Sequence, residues 1–185
     1  VIDAVTGVGV AGAIDTTVAS LDLDNATSGN VDLAETNAIT VVKAVQGTTG
    51  NIQIASAGGT VTLDSGGSPA NVVSTLSTGT ITIDANGATS DIVVNDGIST
   101  ASGLITLDAD NDITFAAEGD ITSTSGNVKI NADKDASGGG IGGALTMVDG
   151  TVINSGSGTL DLDADENIVN PIRVHPDVIS ELEAS

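Results

Sequence analysis

Short alternations of apolar and polar residues run through most of the chain, separated by Gly, Asn, Asp and Ser. The densest stretch is 103–133, GLITLDADNDITFAAEGDITSTSGNVKINAD. Leu104–Leu107, Ile113–Phe115, Ile121–Ser123 and Val128–Ile130 follow one another there as four brief strand signals. Period-two alternation places one face of each strand in an apolar interior and the other in water.

The alternation is itself repeated. A unit Gly-x-[Val/Ile]-x-[Leu/Ile]-[Asp/Asn/Ala] occurs as GNVDLA from Gly29, GNIQIA from Gly50, GTVTLD from Gly59 and GTITID from Gly79. It returns, with one residue of slack, as GLITLD from Gly103, then as GNVKIN from Gly126 and GTLDLD from Gly158. Successive starts lie 21, 9, 20, 24, 23 and 32 residues apart. The step of 9 reads as two strands within one turn, and the step of 32 as a turn lengthened by the glycine-rich insert Ser137–Gly143. A period of about 20–25 residues is the mark of a solenoid. The expected fold is therefore all-β, a β-solenoid of about eight coils, roughly 38 Å tall at about 4.8 Å per coil. Stacking would align Val61 with Ile81 and Leu63 with Ile83, with Gly, Asn, Asp and Ser in the turns.

The expected interior set is Val31, Leu33, Ile52, Ile54, Val61, Leu63, Ile81, Ile83, Ile105, Leu107, Val128, Ile130, Leu160 and Leu162. A one-residue slip would turn every one of them outward. No segment between strands carries a helical stripe long enough for an α/β fold. The strand spacing of 8–10 residues also permits an antiparallel β-sandwich, which is the alternative.

Repeats are expected over 1–168, with 1–25 less regular and serving as an N-terminal cap or joint. The pattern stops at Asn170-Pro171. Residues 169–185 are expected to form a cap or linker, with a short helix from Pro176 that covers the open edge of the last coil. The chain opens on Val1 with neither Met nor a leader pattern, so a leader has been removed or the chain is a piece of something longer.

Two long stretches, VTGVGVAGAIDTTVASLDLDNATSGNVDLAETNAI and ALTMVDGTVINSGSGTLDLDADENI, resemble the repeats of large secreted bacterial exoproteins of the filamentous-haemagglutinin type. The similarity covers nearly all of 1–168, and its motifs are of low complexity. It implies a right-handed parallel β-helix (a β-solenoid) used as an extracellular or cell-surface stalk or adhesin shaft. The first and last coils of a solenoid each lack a neighbour, so further repeats or copies of the chain stacked end to end are the expected partners.

Composition narrows the partners. Four Lys plus Arg against 25 Asp plus Glu give a formal charge of -21. Such a surface repels phosphate backbones and anionic membranes and favours divalent cations. No apolar run is long enough to span a bilayer, and without Cys there is no thiolate or disulfide chemistry. The aspartates that recur at strand ends, with the clusters Asp108, Asp110, Asp112 and Asp161, Asp163, Asp165, supply hard oxygen ligands suited to Ca²⁺. The Gly at position six and Glu at position twelve of an EF-hand are missing, so solvated turn carboxylates are the competing reading.

Other motifs carry less. Gly7-Val8-Gly9-Val10-Ala11-Gly12 matches a dinucleotide loop, but Thr16, Thr17 and Val18 do not suit the first turn of a helix, so a glycine-rich turn is expected. Thr60/Thr62 and Thr80/Thr82 form only two rows of the Thr-x-Thr array of an ice-binding face. Asn25-Ala26-Thr27 is an N-glycosylation sequon. Lys43, Lys129, Lys134 and Arg173 are scattered, and the single His175 lies outside any nucleophile motif. The expected role is structural rather than enzymatic. The alternative is binding or processing of a host or matrix glycan on one lateral face.

Overall fold

The computed structural model describes residues 1–67, 71–134 and 143–169. In chain order the strands are β1 (Ile2–Ala4), β2 (Ile14–Thr16), β3 (Ser20–Asn25), β4 (Val31–Glu35) and β5 (Ile39–Gln46). Three coils of three strands come next: β6 (Ile52–Ser56), β7 (Val61–Leu63), β8 (Asn71–Thr75); β9 (Ile81–Ala85), β10 (Ile92–Val94), β11 (Gly97–Thr100); and β12 (Ile105–Ala109), β13 (Ile113–Phe115), β14 (Ile121–Ser123). The last described coils are β15 (Val128–Ala132), β16 (Leu145–Met147), β17 (Ile153–Asn154), then β18 (Leu160–Ala164) and β19 (Ile168–Val169).

Every strand pairs in parallel with its counterpart one coil away. That pairing defines a parallel β-helix and excludes an antiparallel sandwich. The coil has three faces. The first is the seven-stranded sheet β2-β4-β6-β9-β12-β15-β18. The other two share β3 and β5: Ile39–Val41 of β5 pair with β7, while Ala44–Gln46 pair with β8. From β6 onward that long strand is replaced by two short ones with a turn between them. The first face has seven rungs, one fewer than the eight coils expected, and its six steps of about 4.8 Å span about 29 Å. Residues 1–25 join the stack, through β1 on β3 and β2 on β4. The expected C-terminal cap over 169–185 falls outside the described residues beyond Val169.

Apolar columns fill the interior because aligned strands place like positions over one another. On the first face Ile52, Ile81 and Ile105 stack in register, as do Ile54, Ile83 and Leu107. All six are fully buried, and burial of one such side chain is worth about 1.5–3 kcal/mol. The expected interior set is buried throughout except Leu160 and Leu162 of β18, which are half-buried. The register through Gly103 is continuous, so the expected slack there does not exist: Ile105 pairs with Ile81 as Ile81 does with Ile52.

One alignment differs from expectation. Val61 and Leu63 lie on the second face against Ile39, Val41, Ile92 and Val94, not over Ile81 and Ile83. The same coil already supplies Ile52–Ser56 to the first face, and one face takes one strand per coil. Thr60/Thr62 and Thr80/Thr82 therefore belong to different faces and do not form a common array.

Corners are fixed by two devices. Gly29, Gly50, Gly79, Gly103, Gly126 and Gly158 stack so closely that a Cβ on the latter five would overlap the carbonyl oxygen of the glycine one coil earlier. Three or four residues before each stands a polar side chain directed into the corner. Asn25, Gln46, Thr75, Thr100 and Ser123 form one buried column in register. Thr75 Oγ1 donates to Gly79 O at 3.0 Å and Thr100 Oγ1 to the same oxygen at 3.1 Å. Ser123 Oγ accepts the Gly126 N–H at 2.8 Å. Turn groups that would otherwise be buried without partners are thus satisfied.

Candidate functional site

Among the described residues, a gathering of charged side chains lies on the outer side of the first face, at the C-terminal ends of β9, β12 and β15. Parallel register sets Asp84 beside Asp108, one rung apart. Asp110 lies in the turn after β12, where its Oδ2 accepts the Gly87 N–H at 2.6 Å. Lys134, just beyond β15, is planted by its own N–H to Ala109 O at 2.9 Å. Its ammonium contacts the Asp84 carboxylate, donates to Asn86 Oδ1 at 2.8 Å and stands 3.8 Å from Asp110 Oδ1. One lysine therefore ties three successive rungs together.

Asp108 has no such partner. Its Oδ1 is buried without a hydrogen bond, as is that of Asp110. Burial pushes the Asp108 carboxyl up from the ordinary Asp value, Lys129 and Lys134 pull it down, and the Asp84 charge pushes it up again, with a net upward shift. The lysines that look scattered in sequence are brought together here, because 129 and 134 belong to the rung above Asp108 and Asp110.

The calcium candidates are not brought to one centre. Asp108 and Asp110 flank Lys134, whereas Asp112 lies at the next corner with its Oδ1 accepting the Ala144 N–H at 2.9 Å. Asp161 and Asp163 alternate with Leu160 and Leu162 on β18 and are exposed, and Asp165 is exposed in the following turn. Among the described residues no group of three or more His, Asp or Glu side chains has the arrangement of a metal site.

Asp112 belongs instead to a second stitching device. The residue immediately before a strand offers its side-chain oxygen to the matching backbone N–H one rung on. Asn30 Oδ1 accepts from Asn51 N at 3.1 Å, Asn51 Oδ1 from Thr80 N at 3.0 Å, and Asn127 Oδ1 from Thr159 N at 2.9 Å. Asp91 Oδ1 accepts from Asp112 N at 3.2 Å, and Asp120 Oδ1 from Val152 N at 2.8 Å. The signal was present in the sequence as Asn or Asp at the position before the apolar pair.

Two N-terminal groups also escaped the sequence reading. Glu35 is buried at the end of β4. Its Oε2 accepts from Thr16 Oγ1 at 2.6 Å and Val18 N at 3.0 Å, and its Oε1 from Thr36 N at 3.0 Å and Asn37 N at 3.4 Å. Burial pushes this carboxyl up, but the Thr16 hydroxyl and the three amides outweigh it and hold it below the usual Glu value. Asn25, the sequon asparagine, is fully buried, with Oδ1 accepting from Gly7 N at 3.0 Å and Nδ2 donating to Ser28 O, Gly29 O and Gln46 Oε1. It offers no free amide for a glycan. The Gly7–Gly12 stretch is a turn, closed by Gly12 N to Gly9 O at 3.0 Å and leading into β2, as expected. Arg173 and His175 lie outside the described residues.

The fold and its outer face define a class, a three-faced parallel β-helix stitched by Asn, Asp and Lys side chains. No family model, no curated protein and no solved structure matches the chain.

Proposed function

We propose that this chain is a structural repeat module, a rigid shaft segment of a bacterial surface or secreted protein, and not an enzyme. The observation that carries the reading is the unbroken register of the seven parallel rungs of the first face. Several outward polar groups along it are tied to neighbouring rungs: Asx oxygens before the strands to backbone amides, Lys134 to Asp84 and Asn86, and Lys43 to Asp24 at 2.6 Å. Side chains held in this way stiffen a rod and are poorly placed to act on a substrate. The extracellular setting rests on the resemblance to filamentous-haemagglutinin-type repeats. Further repeats, or copies of the chain joined end to end, are the expected neighbours, because a rung edge presents unpaired backbone groups.

The test is a distance distribution. Asp15 and Asp163 occupy one column of the first face, six rung steps apart. Spin labels on Asp15→Cys and Asp163→Cys should give a single narrow distribution near about 29 Å plus the label arms. A broad or bimodal distribution would remove the rigid-spacer reading.

A further inference from the structure

We propose that the first face, across β4, β6 and β9, binds a neutral, extended β-linked glycan lying along the rod axis. The outer side of these three rungs holds a depression of about 90 Å³ whose polar wall is Asn30, Asp32, Asn51, Gln53, Thr80 and Thr82. These residues form two columns. Asp32, Gln53 and Thr82 are in direct register. Asn30, Asn51 and Thr80 each lie two positions earlier and are joined by the side chain-to-backbone bonds described above.

That stitching is what makes the columns a site. An Asn side-chain amide is planar, so an oxygen held by the next rung's N–H fixes the direction of the NH₂ group. Asn30 and Asn51 are exposed, and neither NH₂ has a protein partner. Two oriented donors thus stand one rung apart, about 4.8 Å. Beside them the Asp32 carboxylate accepts, the Gln53 amide does both, and the Thr82 hydroxyl does both. Donors and acceptors alternating on a flat, rigid surface match vicinal hydroxyls, which also donate and accept. The rung spacing is close to the length of one pyranose ring, so an extended chain can place one ring per rung.

Charge and boundaries narrow the ligand. The polar wall carries one acid, Asp32, and no cation, within a chain of charge -21. Uronic-acid and sulfated chains are therefore disfavoured. The polar column before the strands ends at Leu104, 42% exposed, which follows Thr80 one rung on. The other column runs on through Thr106 to the charged Lys129, and beside it lie the carboxylates of Asp84 and Asp108. The footprint is accordingly about three rings. An α-linked chain that coils would not keep step with the rungs.

The experiment uses the full chain, ¹⁵N-labelled, with cellohexaose and chitohexaose as probes and maltohexaose and polygalacturonate as comparators. The side-chain NH₂ resonances of Asn30, Asn51 and Gln53 should shift with at least one of the two probes and with neither comparator. Asn51→Asp keeps an oxygen for the Thr80 N–H but removes the donor, and should weaken binding about tenfold or more with the melting temperature little changed. Gln53→Ala, at an exposed strand position, should weaken it without disturbing the fold. Absence of any shift with both probes up to their solubility overturns the proposal. So does an equal response to either comparator, or undiminished binding in both variants. None of these outcomes bears on the distance distribution that tests the shaft.

Discussion

Replacing Gly103 by alanine should be far more damaging than an alanine at a surface turn would suggest. Gly103 has no positive φ, so the cost is one of space. Its Cβ would overlap the Gly79 carbonyl oxygen, with Thr78 O also 3.0 Å away. The Gly79 oxygen cannot withdraw freely, because it accepts from Thr75 Oγ1 and Thr100 Oγ1. Relief requires the two rungs to part at this corner, which strains Ile81 N to Leu104 O at 2.9 Å and Ser102 N to Ser77 O at 3.3 Å. Loss of about two hydrogen bonds at ~1 kcal/mol each, with overpacking strain of ~1–3 kcal/mol, gives a destabilisation of about 3–5 kcal/mol. For a chain of this length that corresponds to a fall of roughly 6–20 °C in melting temperature. Gly58→Ala is the matched control: its Cβ would meet only Thr36 O at 3.6 Å, an ordinary contact. It should be neutral or stabilise by a few tenths of a kcal/mol, about what a less flexible unfolded chain contributes. Thermal and urea unfolding followed by circular dichroism measure both. A Gly103→Ala protein that melts within a degree of the parent, or a Gly58→Ala protein that falls as far, would refute the close-stacking argument.

Three further outcomes follow from the charged groups. Glu35 has a folded pKa below its unfolded one, so its stabilisation is complete above about pH 4.3 and is lost as the pH falls through the lower folded value. Glu35→Gln should cost about 1–3 kcal/mol at neutral pH and flatten that part of the acid-unfolding profile. Asp108 is shifted the other way, so its charge opposes folding at neutral pH and ceases to do so as the pH falls through the raised folded value to the ordinary one. Asp108→Asn should therefore stabilise by about 0.2–1 kcal/mol at pH 7, with the gain vanishing near pH 4; a variant less stable than the parent at pH 7 would show that the carboxylate is needed. Lys134→Met should lower stability by about 1–2 kcal/mol at low salt and make melting respond to millimolar Ca²⁺, since Asp84, Asp108 and Asp110 lose their cation; the parent should not respond, and a rise in its melting temperature would return Ca²⁺ to the acidic clusters.

What was legible from sequence was the set of positions that repeat in both polarity and spacing. Val31, Ile52, Ile81, Ile105 and Val128 could be read as one buried column because each sits two residues after a glycine and two before another aliphatic residue. The third face was harder to see. Its interior carries one apolar column, Leu23, Ala44, Val73, Ile98 and Ile121, beside a polar one, Asn25, Gln46, Thr75, Thr100 and Ser123, so each strand shows a single apolar position in that column followed by a polar residue that satisfies turn backbone instead of filling space. The shift of Val61 onto the second face was hidden by GTVTLD having the same local pattern as GTITID; only the nine-residue step from Gly50 distinguishes them. The acid–lysine cluster was invisible because Asp84 and Lys134 are 50 positions apart and meet across two rungs. The clusters Asp108–Asp112 and Asp161–Asp165 are close in sequence, but strand alternation and corner geometry direct their members to different tasks.

The register itself can be tested by cross-linking, since the chain has no cysteine to interfere. Thr82 and Thr106 face outward on adjacent rungs of the first face and pair directly. Their separation of about 4.8 Å lies within the range that a disulfide spans. Thr62 lies on the second face, paired with Thr40 and Val93. Mild oxidation of the Thr82→Cys/Thr106→Cys double variant should form an intramolecular disulfide in high yield, while Thr62→Cys/Thr82→Cys remains reduced. Efficient closure of the second pair, or failure of the first in a folded protein, would contradict the three-faced parallel stack.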